Sequence, residues 1–176
     1  MKPPSEEKSM AMKGMAWVRI LVGTVWLDGA LEKLLNPHFP KQFALSLKAG
    51  GFIAQAPPFF RAFMERVVSP DPEAIAQIVR FVELSLGVAL VLGLVTNLAA
   101  LGSLAQSLAI MFSQGGVAFG TRLGAPEFLN VDLVMAMLSV IVLLSPEAKT
   151  FSVDAVLARR NPALPTLLTN RSKQLE

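Results

Sequence analysis

The sequence predicts an all-α fold, an integral-membrane four-helix bundle with a short amphipathic helical cap between helices one and two. Three observations carry that prediction. Hydrophobic residues make up 53% of the 176 and charged residues 16%, where an ordinary soluble domain has about 25% charged residues. Apolar segments recur from residue 14 to residue 145, so no stretch between them reads as a separate soluble module. The longest of them, residues 75 to 112, would run about 57 Å as one helix against a hydrocarbon core of about 30 Å, so it must fold back on itself.

Residues 1–13, "MKPPSEEKSMAMK", are polar and basic and read as a cytoplasmic tail. They precede an apolar run as the first region of a signal peptide would, but no small-residue cleavage pattern follows and the run is expected to stay. A transmembrane domain then occupies residues 14–145. Its first span, about 14–35, is about 33 Å long and stops at Asn36-Pro37. "GLVTN", residues 93–97, is the turn-like place in the long apolar run, which gives spans of about 75–94 and 97–113. Ala99, Ser103 and Ser107 recur at i, i+4 and i+8 on the second of these, a small-residue stripe that lets a neighbouring helix come close. A Gly-rich loop leads to a fourth span, about 128–145, ended by Pro146. Residues 146–176 form a second tail.

Residues 36–74 form the cap. In "PPFFRAFMERVV" one row holds Phe59, Phe63 and Val67 and the next holds Phe60, Met64 and Val68, with Arg61, Glu65 and Arg66 elsewhere round the helix. That is the pattern of a helix lying in the membrane interface, and "KQFALSLKAGGF" offers a second piece. Four spans put both termini on one side, and nine of the 16 Lys and Arg fall there. The positive-inside rule makes that side cytoplasmic, in a multi-pass protein of the plasma membrane.

The first span carries Arg19, Asp28, Glu32 and Lys33, which hydrocarbon does not welcome. With this topology Asp28, Glu32, Arg80, Glu83 and Asp132 all fall within roughly 6 to 12 Å of the outer ends of their helices, by rise per residue. They are expected to face the bundle interior. Asp28 pairs by position with Glu32 at i, i+4, and Arg80 with Glu83 at i, i+3. Arg19, near the inner surface, is expected to snorkel to cytoplasmic phosphates, and Lys33 to reach the outer headgroups. Three readings of the charged layer stay open: an ion-pair network fixing helix register, a proton- or substrate-handling site, and a carboxylate metal site with His38.

Composition narrows the function. The chain has no cysteine and one histidine, His38, so disulfides, thiolate metal sites, iron–sulfur clusters and a bis-histidine haem within one copy are excluded. No basic stripe interleaved with aromatics suggests nucleic acid. Membrane lipid is the expected surrounding, with a second redox or membrane subunit, or a homo-oligomer, as partner.

Three stretches, "RILVGTVWLDGALEKL", "VELSLGVALVLGLVTNLAAL" and "LLSPEAKTFSVD", together resemble the DoxX/DoxD family of small four-helix bacterial and archaeal membrane proteins, over about residues 17–154. Position by position the resemblance marks Arg19, Gly23, Lys33, Glu83, Gly87, Ser152 and Asp154. Where the family often reads Gly-Pro-Gly-Arg, this chain has Ser145-Pro146-Glu147-Ala148-Lys149. Ser152 or Asp154 also suits the cap of a short helix, "DAVLARR". DoxD is similar to the membrane subunit of thiosulfate:quinone oxidoreductase, which implies a quinone as electron acceptor and no metal or haem. On that reading Glu83, Asp28 and Glu32 handle protons, and Arg80, Lys33, Asp132, Arg61, Arg66 and Arg122 form the substrate-binding set, in which Arg80 with Arg61, Arg66 or Arg122 holds an anionic substrate at the mouth. Trp26 and Phe81 form an apolar quinone wall. A non-catalytic subunit that docks or stabilises a redox complex is the alternative.

Overall fold

A computed structural model describes residues 6–48, 51–115 and 131–160. Their regular structure is helical, with no strand among them. Helix α1, Glu6–Leu35, starts before the apolar run because nothing between Glu6 and Lys13 breaks a helix. It stops at Asn36, whose side chain accepts the His38 backbone N–H at 2.9 Å. The segment after it folds into α2 (Phe39–Ser46), α3 (Phe52–Gln55) and α4 (Pro58–Phe63), the last running on into a π-helical turn, Met64–Val68. Asp71 caps α5, Pro72–Leu92, by accepting from Ala74 N at 3.0 Å, with Pro72 at the first helical position.

Gly93 closes α5 in the left-handed conformation, φ 66°, and α6 (Thr96–Ser113) begins after Val95, itself at φ 45°. The turn therefore falls within the expected residues. Helix α7, Val131–Leu144, leads through a 3-10 turn, Pro146–Lys149, to α8, Val153–Arg160. Helix α1 packs against α5 and α7, and α6 against the same two. Val22, Trp26, Leu86, Leu90, Ala100 and Val142 are buried between them.

Helices α1 and α5 touch closely because two glycines face each other's backbone. A Cβ on Gly23 would lie 2.8 Å from Val91 N, and one on Gly87 2.8 Å from Leu27 N. The cap has its own core, in which Leu47, Met64 and Val68 bury against Phe43, Phe52 and Phe60. Phe59 and Phe60 reach Phe112 of α6 with ring centroids 5.1 and 5.8 Å apart, which seats the cap on the C-terminal end of that helix. Of the two rows read from the sequence, Met64 and Val68 are buried while Phe59, Phe63 and Val67 are exposed.

The outer surface of the long helices is apolar. Trp17, Leu21, Val25, Phe81, Val88, Leu101, Met137 and Ile141 are all exposed, and such a continuous apolar surface requires a lipid or protein covering. Helix α1 from Lys13 and all of α5 are long and apolar enough to cross a membrane. The chain has the build of a membrane protein.

Candidate functional site

Charge meets charge across helices. Lys33 Nζ of α1 lies 2.7 Å from Glu83 Oε2 of α5 and also donates to Gly29 O at 3.2 Å. Glu83 is 1% exposed. Its other oxygen, Oε1, has no hydrogen-bond partner at normal distance, although Gln106 of α6 faces the carboxylate. Asp132 of α7 acts electrostatically on both members of the pair. Four helices thus supply one polar side chain each around the buried carboxylate.

Other charges go elsewhere. Asp28 and Glu32 are exposed on the side of α1 away from Glu83, so they do not enter the interior as their shared i, i+4 face suggested. Helix α1 carries Lys33 inward, and the helical phase then turns positions 28 and 32 out. For the same reason Lys33 does not run to the headgroups: its ammonium is held by Glu83. Arg80 lies over the Phe81 ring, 5.6 Å from the centroid, rather than on Glu83. Phe81 is exposed, whereas Trp26 is buried, so the two do not share a wall. Arg61 donates to the carbonyls of Ala54 and Ala56 and so fastens the cap, while Arg66 is exposed. Arg122 lies outside the described residues. Among the described residues no three His, Asp or Glu side chains gather as a metal requires.

Beneath this layer a polar chain crosses the core. The Trp26 indole N–H donates to Ser103 Oγ at 2.6 Å, Ser103 and Ser139 share a hydrogen bond at 2.7 Å, and Ser139 Oγ donates to Met135 O. Helices α1, α6 and α7 are thereby tied together. The small-residue stripe of α6 pointed to close packing; Ser139 and Gln106 carried no signal of their own, as a single Ser or Gln in an apolar helix has no pattern around it.

Arg19, beside the α5–α6 turn, corrects the expected snorkelling. It is fully buried, packs on Gly93, and donates from Nη2 to Phe151 O at 3.3 Å. Its cover is the chain after α7, which folds back over it. Both oxygens of Asp154 cap α6 across the sequence, accepting from Val95 N at 2.8 Å and Thr96 N at 2.7 Å, while Asp154 N donates to Gly93 O. Ser152, not Asp154, caps the short helix α8, accepting from Ala155 N at 3.0 Å. Lys149 is nearly buried beside this knot, and burial lowers its ammonium from 10.5 to about 8 against the pull of Asp154.

The residues marked by the resemblance thus form three contacts: Arg19 with Gly93 and the chain around Ser152 and Asp154, Gly23 with Gly87, and Lys33 with Glu83. Comparison with curated proteins and with solved structures gave no match. A family model described as "TQO small subunit DoxD" matches residues 15–168. With the matched region covering most of the sequence and all three contacts, the chain belongs to the DoxD family.

Proposed function

We propose that the protein is a four-helix, multi-pass subunit of a quinone-linked oxidoreductase of the plasma membrane, and that Glu83 is its proton-handling residue. The observation that carries this reading is a carboxylate 1% exposed, held by Lys33 through one oxygen and faced by Gln106 of α6, with no hydrogen bond of normal length on Oε1. Burying a charge without full pairing is expensive in lipid and by default marks function. Oε1, which makes no hydrogen bond of normal length, suits a quinol hydroxyl or, when protonated, a quinone carbonyl, and the exposed Phe81 beside Arg80 gives an apolar approach from the lipid side.

Thiosulfate fits as the electron source. Joining two thiosulfate anions through one new S–S bond releases two electrons, and a quinone, when bound, takes up those electrons with two protons. Glu83 Oε1 holds a proton at the site, and Lys33 stabilises the carboxylate once that proton has left. Gln106 orients the group from α6. Because the sequence has no cysteine, this chain supplies no thiolate, and the sulfur chemistry belongs at the rim or on a partner subunit. The termini, Arg19 and Asp154 included, are then cytoplasmic and the cap lies on the outer side.

Glu83→Gln tests the assignment, since it keeps the shape and a hydrogen-bond acceptor for Lys33 while removing the titratable proton. Thiosulfate-dependent quinone reduction by the intact complex in membranes should fall at least ~100-fold, the scale of a lost general acid–base group, with the helical fold retained by circular dichroism. Unchanged turnover removes Glu83 from the chemistry. That result favours the second reading, a subunit whose 2.7 Å Lys33–Glu83 pair only locks α1 to α5.

A further inference from the structure

Asp28 and Glu32 are the charges that the site leaves over. They sit on the exposed side of α1 with Trp17, Leu21, Thr24, Leu31 and Leu35, at spacings of three and four residues that make a continuous seam along the helix. Thr24 satisfies its hydroxyl on Ile20 O, but among the described residues neither carboxylate has a hydrogen-bond or ion-pair partner. Asp28 lies seven residues inside the outer end of α1, about 10 Å by helical rise. Glu32 is one turn nearer that end.

We infer that this seam of α1 docks a transmembrane helix of another subunit that carries a Lys or Arg at the depth of Asp28. The inference rests on the membrane-spanning reading above. Charge complementarity selects the occupant: two carboxylates one turn apart at lipid depth require a cation, and lipid chains supply none. A second copy of this chain does not supply one along this seam. Copies share one orientation in the membrane, so a two-fold pairing of α1 with α1 sets Asp28 and Glu32 against their own counterparts, acid against acid. Apolar Leu21, Leu31 and Leu35 then pack on the partner helix above and below the charge pair, and Trp17 extends the contact to the inner end.

The test uses the full-length protein in vesicles with a synthetic polyleucine helix bearing one arginine seven residues from its outer end. Association is read by energy transfer between labels on the two. The arginine peptide should bind about tenfold more tightly than the same peptide with glutamine, and D28N/E32Q should abolish the difference. D28K should reverse the preference, favouring a peptide with glutamate at that position. Equal binding of the arginine and glutamine peptides to the unsubstituted protein overturns the inference, as does a self-associated form held through α1 that D28N/E32Q strengthens. Resistance of the protein to carbonate extraction, measured on the same vesicles, separates the two levels. An extractable protein refutes the membrane-spanning reading itself, whereas an inserted protein with no arginine preference refutes only the docking seam.

Discussion

A methyl group is enough to test how α1 and α5 hold Lys33 against Glu83. Gly23 and Gly87 bring the two backbones together, and a Cβ at position 23 would meet backbone atoms of Val91 and Gly87 at 2.8 and 3.0 Å, which cannot swing aside. Gly23→Ala should therefore cost about 1–3 kcal/mol of stability, the range for overpacking, measured by unfolding in mixed detergent micelles. Gly14→Ala is the control, since nothing lies within 4 Å of that added methyl and the helix gains propensity. The same closeness explains what was hidden at this scale. Lys33 and Glu83 are fifty positions apart, and a sequence shows only neighbours three or four residues away, so Asp28 seemed to belong with Glu32 and Arg80 with Glu83.

Between helices, the Trp26–Ser103–Ser139 chain replaces the indifference of apolar side chains with a fixed arrangement. Hydrophobic burial contributes little to helix association inside lipid, where hydrogen bonds and close packing do more. Trp26→Phe keeps most of the volume and leaves Ser103 paired with Ser139. It should cost about 0.6–1.7 kcal/mol, the span seen for interhelical polar contacts in membranes, and Trp26→Phe combined with Ser103→Ala should cost less than the sum of the two single changes. Helix ends were largely legible, because Asn36-Pro37, Gly93 and Pro146 stop helices by local chemistry. The phase of α1 was not. Polar residues occur on several sides of it, and the choice of Lys33 rather than Asp28 to face inward is made by Gly23 meeting Gly87, a tertiary contact that no periodicity records.

For the molecule as a whole, stability should depend on pH through Lys149. Its folded-state value near 8 lies below its ordinary 10.5 because burial disfavours the ammonium. Below pH 8 both folded and unfolded chains carry that proton; between about 8 and 10.5 the unfolded chain binds more, so its contribution to stability rises with pH across that window. The thermal midpoint of the native sequence should therefore rise from pH 7 to pH 9.5 by more than that of Lys149→Met, in which this part of the dependence is gone. The helical class and the membrane character were legible because composition and apolar run length decide them. The inner knot was legible only as a list of marked positions, and Arg19 was misplaced because its position near a helix end allows either a headgroup or a protein partner. The cover that decides it comes from residues 146 to 154, more than a hundred positions later. This has a consequence for biosynthesis. The backbone N–H groups of Val95 and Thr96 are made long before Asp154, their cap, which follows Val95 by 59 residues. During translation the start of α6 stays unsealed while α7 is made, and Arg19 waits beside it without the Phe151 carbonyl. Completion of the segment around Phe151 and Asp154 closes both at once, so a late-made part of the described chain finishes α1 and the start of α6.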